Sequence, residues 1–303
     1  MAAAIISDET DPASIPVQRD RGMADESSLQ GGGLVVLELC SALVTLFNLG
    51  LSGVIGWRLL RSGEPGAPER ALGCYFLCYS TLSAGLSTTL YMGWSDPSLA
   101  LPDRLERLMN AAYFSLASLG IFALLVFVRR TFRPREGWAR GLVAGTSAAL
   151  VLGAIGVGWS EGFEVRVLNG PAYWISWAAR EIGFVWVALE ALRWWGAMRR
   201  RLRLGLADPL VANRFLLWSA WGTSVALLGC SDPIARVWYF LRAGSATLWI
   251  PEIGHPIVTW VVGFTSAFGI VSAASLFLAF FPLTRYRRWV ERRAEALASA
   301  AYS

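Results

Sequence analysis

Of 303 residues, 55% are hydrophobic, 13% aromatic and only 16% charged, whereas an ordinary soluble domain carries about 25% charged residues; a single water-soluble core is excluded as the main design. The formal charge of +5 rests on 27 basic residues, every one an arginine, set in short bursts between apolar stretches, which speaks for membrane topology and against a nucleic-acid partner. With no lysine there is no amine for a retinal Schiff base, and with one histidine, His255, multi-histidine haem, copper and di-iron centres lack their ligands; no cofactor, metal site or catalytic set is expected.

Residues 1–33 are polar, acidic and Gly/Ser-bearing, without the basic start and apolar stretch of a signal peptide, and read as a disordered extracytoplasmic tail in which Met23 competes with Met1 as the start. Seven apolar stretches follow, at 34–57, 71–93, 108–128, 141–159, 172–195, 215–231 and 257–281, each reaching or nearly reaching the ~20 residues that a helix needs to cross hydrocarbon. The fold class is therefore an all-α membrane protein: residues 34–282 form one seven-transmembrane helix bundle. None of the stretches has an interior proline, so continuous helices are expected and not the broken ones that mark many transporter sites.

In the second stretch Cys74 and Cys78 share a helix face, and Ser80, Thr81, Ser83, Ser87, Thr88 and Thr89 make a polar stripe; both read as helix packing. All four cysteines (Cys40 and Cys230 are the others) fall in or at the ends of apolar segments, with neither disulfide nor zinc spacing. The fourth stretch carries Gly141, Gly145, Gly153, Gly156 and Gly158, small residues that let a neighbouring backbone come close, in this chain or in a second copy. The loop at 233–241 is able to form a short interfacial helix, and residues 283–303 are a cytoplasmic tail whose 285–298 segment is an amphipathic interfacial helix lying on anionic headgroups.

Arginine placement orients the bundle. The first, third and fifth loops and the C-terminal tail hold 18 arginines against 7 on the other side, and the richer side is cytoplasmic: N-out, C-in. The clusters at Arg129, Arg130, Arg133 and Arg135 and at Arg199, Arg200, Arg201 and Arg203 supply most of this signal. Tryptophans near the span ends, among them Trp57, Trp138, Trp195, Trp289, Trp159 and Trp260, suit the headgroup level.

Ionisable groups inside hydrocarbon are costly and point to function or to a buried partner. In the fifth stretch Trp174, Trp177 and Glu181 fall on one face with Arg180 one step round, about one third of the way in from the outer surface at roughly 1.5 Å per residue. Glu38, Asp232 and His255 lie at similar depth on other stretches, with Cys230 and Glu252 beside them. Together Glu38, Trp174, Trp177, Arg180, Glu181, Asp232 and His255 are the candidate ligand-binding residues of an outward-facing pocket. The structural alternative is that Arg180 pairs with Glu38 or Glu181 merely to fix helix register. Glu190, deeper, is expected to pair with Arg193 or Arg214.

The seven-helix N-out plan, the arginine-rich inner loops and the amphipathic 285–298 helix resemble the seven-transmembrane sensor modules of bacterial receptors, often joined to histidine kinases. The resemblance spans residues 34–298 and rests on topology. It implies a receptor or sensor-like protein of the bacterial inner membrane that binds a small molecule from outside; with no output domain after residue 298, it would signal to a separate cytoplasmic partner protein. Three other readings stay open: a small-solute or ion transporter, although no Pro-Gln pair stands in the first or fifth stretch; a membrane-embedded enzyme using Cys230, Arg236 or Arg242, and His255; and a structural subunit. The lipid bilayer is a partner under all four, and a homo-oligomer is compatible with each.

Overall fold

The computed structural model describes residues 22–95, 97–163, 170–243 and 251–302. All regular structure among them is helical: α1 (Gly22–Ser62), α2 (Pro68–Tyr75), a π-helical segment (Phe76–Ser83), α3 (Ala84–Ser95), a single 3-10 turn (Pro97–Leu99), α4 (Asp103–Phe132), α5 (Gly137–Glu161), α6 (Pro171–Arg203), α7 (Pro209–Gly229), α8 (Ser231–Ala243), α9 (Pro251–Phe280) and α10 (Thr284–Tyr302). The chain divides into two units, residues 1–36 and 37–303. In the first, the described part is helix from Gly22, so the expected disordered tail is helical over residues 22–33; residues 1–21 lie outside the described residues.

Among the described residues, four helical stretches are long and apolar enough to cross a membrane by length and composition: Leu39–Ser62, Asp103–Phe132, Gly137–Ser160 and Trp260–Phe280. The exterior has membrane character as well. Leu39, Leu43, Leu46, Leu152, Ile155 and Leu189 are all exposed, far more apolar surface in runs than a soluble protein tolerates.

Within the second unit, α4 packs against α2, the π segment, α3, α5 and α6; α6 packs on α5 and α7, and α7 on α9. The α1 helix meets α2 where Gly56 and Gly73 face each other, and Asn48 donates to the Gly269 carbonyl of α9 at 3.2 Å. The core is aliphatic and aromatic: Ile55, Tyr75, Phe76, Leu124, Val128, Phe184, Val187 and Trp221 are buried together. Two buried hydroxyls bond back to their own helix, Ser224 to the Ala220 carbonyl and Ser266 to the Val262 carbonyl, each at 2.7 Å, which satisfies the hydroxyl without water.

Two local features follow from glycine. At Gly120 of α4 an added Cβ would lie 2.8 Å from the Tyr79 nitrogen and 3.1 Å from its Cα, so only glycine admits the backbone of the π segment. This is where the expectation of unbroken α-helix changes: the second apolar stretch stays helical but widens to the π form over Phe76–Ser83, where the Thr81 side-chain hydroxyl also donates to the Phe76 carbonyl at 2.9 Å. Nothing proline-like marks it in sequence. On α5, Gly153 and Gly156 lie against Ser176 and Ala172 of α6, so the tight partner of the glycine-bearing helix is in the same chain; Gly141 and Gly145 face open space.

Candidate functional site

The site is built on the first three turns of α6, which begins at Gly170 and Pro171; proline fits the first turn because its missing N–H needs no partner there. From that start Tyr173, Trp174, Trp177, Arg180 and Glu181 enter the bundle toward α4, α7 and α8.

Arg180 is buried, at 8% exposure. Its Nη1 donates to the Tyr113 hydroxyl of α4 at 2.7 Å, and its guanidinium carbon lies 5.9 Å from the ring centres of both Tyr113 and Phe114. The expected ion pair with Glu181 is not formed, and the alternative partner, Glu38, has its side chain outside the described residues; among the described residues a phenol and two ring faces hold the cation. The physical reason is register, because Glu181 is one residue on and turned about 100° round the helix, toward α7. There its carboxylate sits against Gly229, and Oε2 has no hydrogen-bond partner among the described residues. Arg180 remains within electrostatic range of it. Trp177 donates from its indole nitrogen to the Gly229 carbonyl at 2.8 Å and packs edge-on against Trp174 with ring centres 5.9 Å apart. The predicted aromatic wall and Glu181 therefore come together.

Asp232 belongs to a second cluster. It accepts from Arg236 Nε at 3.1 and 3.0 Å, one turn along α8, and from the Tyr173 hydroxyl of α6. The Arg236 guanidinium lies 4.5 Å from the Tyr173 ring centre. Asp232 is thus a clamp joining α8 to α6, and its oxygens are engaged by the protein. The same clamp occupies Arg236, the cation invoked for a Cys/His enzyme. Glu38 and His255, and Arg242 with His255, lie outside the described side chains.

Sequence reasoning missed Tyr113 and Tyr173, and it named Arg236 only as a possible cation of a Cys/His enzyme; these three make the polar contacts. It also missed two polar groups one turn away on the same faces of α4 and α6: Asn110 Nδ2 and Ser176 Oγ, buried and without partners among the described residues. Asn110 was the one available signal, being an amide three residues before Tyr113 in an apolar stretch.

Deeper along α6, Glu190 is buried and bonded to Arg133, whose Nε lies 2.8 Å from Oε1; the same guanidinium reaches Glu136 Oε1 at 2.6 Å through Nη1. Glu190 therefore pairs with neither Arg193 nor Arg214. Arg133 ends α4 and Glu136 starts α5, so one guanidinium staples two helix ends to the side of α6, which α4 and α5 both flank. Glu136 also accepts from the Trp138 indole, and its carboxyl is held below the usual 4.5, first by the Arg133 hydrogen bond and then by that of Trp138.

No family model, curated protein or solved structure matches this chain.

Proposed function

We propose that the chain is a seven-helix receptor or sensor-like protein of a bacterial inner membrane, N-terminus outside and C-terminus inside, that binds a small polar solute at the α6 site and passes the signal to a separate cytoplasmic partner. Seven crossings are supported by helix length. Beyond the four membrane-capable helices, α2, the π segment and α3 follow one another with 8, 8 and 12 residues, and α6 and α7 have 33 and 21. At 1.5 Å per residue these reach about 42, 50 and 32 Å, against roughly 30 Å of hydrocarbon. Two of the charges that lower the apolarity of α6, Arg180 and Glu190, are buried.

One observation carries the functional reading: a permanently charged guanidinium, buried beside unpartnered amide, hydroxyl and carboxylate groups, with no carboxylate partner among the described residues. Burying a charge without its counter-charge costs several kcal/mol, and a ligand carrying a carboxylate next to a hydrogen-bond donor would complete both Arg180 and Glu181. Such a ligand at 100 times its Kd stabilises the fold by about 2.7 kcal/mol. The test is thermal unfolding of detergent-purified protein against a panel of small carboxylates and zwitterions. A member of the panel should raise Tm for the native chain and not for Arg180→Gln; a panel that moves nothing counts against sensing.

The π-helical segment favours a second reading, transport, because such segments concentrate at functional sites and at places where a helix changes register, and Tyr79 on it lies in the electrostatic neighbourhood of Arg180. Solute flux into proteoliposomes that Arg180→Ala abolishes would put transport ahead of sensing.

A further inference from the structure

The last helix is strongly amphipathic yet is tied to the bundle. In α10, Val290 is buried, and the Tyr286 hydroxyl is hydrogen bonded to Asn213 of α7. Between α10, the C-terminal end of α6 and the N-terminal end of α7 lies a cleft of about 200 Å³, lined in part by Trp195, Arg199, Asn213, Leu216, Trp289 and Arg293. Two of its walls repeat one device. The Arg199 guanidinium carbon stands 5.5 Å from the Trp195 ring centre on α6, and that of Arg293 stands 5.3 Å from the Trp289 ring centre on α10.

An arginine resting on an indole face is held in place without losing its charge or its outer N–H donors. Neither of these two has a carboxylate partner among the described residues, unlike Arg287 of the same helix, which pairs with Glu291 at 3.2 Å. Two such forks lining one cleft suit a tetrahedral oxyanion, which guanidinium groups bind through paired N–H donors. Asn213 adds a polar neighbour, and Leu216 and Val290 supply an apolar floor.

Size and position narrow the ligand further. The cleft is smaller than the roughly 300–1,000 Å³ of a site for a drug-sized molecule, so it takes a headgroup and not a whole lipid or a large cofactor. Only three residues separate α10 from the membrane-capable end of α9, and tryptophans at such a junction favour the level of the lipid phosphates. We propose that the junction of α6, α7 and α10 is a stoichiometric site for the phosphoryl headgroup of an anionic phospholipid, gripped by Arg199 and Arg293. The site shares no residue with the one proposed on the first turns of α6.

The full chain in uncharged detergent, titrated with phosphatidylglycerol or phosphatidylcholine and read by native mass spectrometry, tests this. One phosphatidylglycerol should be retained in preference to phosphatidylcholine, and excess inorganic phosphate should not displace it. The double substitution Arg199→Gln with Arg293→Gln should weaken retention about tenfold or more, while Arg285→Gln with Arg288→Gln, the same charge loss outside the cleft, should change it no more than about twofold. Leu216→Trp keeps every charge and fills the cleft, so its loss of retention carries the test if the double variant does not fold. Equal losses from both double substitutions, equal retention of phosphatidylcholine, unchanged retention in Leu216→Trp, or complete displacement by inorganic phosphate would each overturn the proposal, the last by making the ligand a soluble phosphate.

Discussion

Arg180 and Tyr113 meet across two helices 67 residues apart in sequence. Tyr113→Phe removes the hydroxyl and leaves the guanidinium donor unpaired; the expected loss is about 1–3 kcal/mol, read as a lower Tm in detergent. Arg180 itself was legible because a charge in an apolar stretch is conspicuous, but its partner was not, since a tyrosine in such a stretch usually means only packing. Glu190 shows the same limit: its cation, Arg133, is 57 residues away, whereas sequence offered nearer arginines. Glu190→Gln should cost about 1–3 kcal/mol, because Arg133 keeps Glu136 as a second carboxylate. Glu136→Gln, at a half-exposed position, should cost less. The sign of its pH dependence is fixed by the lowered carboxyl: stabilisation is fully present above the ordinary value of 4.5 and fades as pH falls below it. The Tm gap between native chain and Glu136→Gln should accordingly be open at neutral pH and close in acid.

At the level of elements, helix existence was legible from apolar run lengths and helix form was not. The π segment depends on Gly120 in α4, a residue of a different helix that accepts the Tyr79 backbone. Gly120→Ala should therefore destabilise by about 1–3 kcal/mol, the usual cost of overpacking, as α4 and the π segment are pushed apart. Gly141→Ala, where the new Cβ meets nothing within 4 Å, should cost nothing and can gain up to about 1 kcal/mol from helix propensity. Thermal unfolding of the two variants side by side checks both. The glycine pattern on α5 announced a close neighbour, yet of its glycines Gly153 and Gly156 meet α6, Gly158 meets the Phe163 ring, and Gly141 and Gly145 meet nothing within 4 Å. Spacing defines a flat face, but which part is covered depends on where α6 crosses.

For the whole molecule, topology governs the proposed function. With an odd number of crossings, reporters fused at the two ends give opposite signals: an enzyme active only outside the cytoplasm works at the N-terminus and fails at the C-terminus, and a cytoplasmic fluorophore does the reverse. Equal signals at both ends would remove the outward pocket and the inward signalling face together. The arginine asymmetry behind that orientation was countable from sequence, and so was the sense of the exterior: Trp57, Trp138, Trp159, Trp260 and Trp289, read as interfacial, are exposed. Arg133, in contrast, belongs to one of the bursts read as topology signals, and it also staples α4 and α5 to α6.

The amino-acid sequence by itself determined that the chain is helical and has membrane character, and which helix carries the buried charges, because run length, apolarity and charge are properties of consecutive residues. Only the tertiary structure decided that Arg180 is held by a phenol, that Asp232 clamps α8 to Tyr173, that Glu190 answers Arg133, and that two arginine–indole pairs line a common cleft. Those outcomes depend on helix rotation and crossing; a turn of about 100° between neighbouring residues sends Arg180 toward α4 and Glu181 toward α7. Which neighbour waits on each side is fixed by packing between segments dozens of residues apart, and local sequence does not encode it.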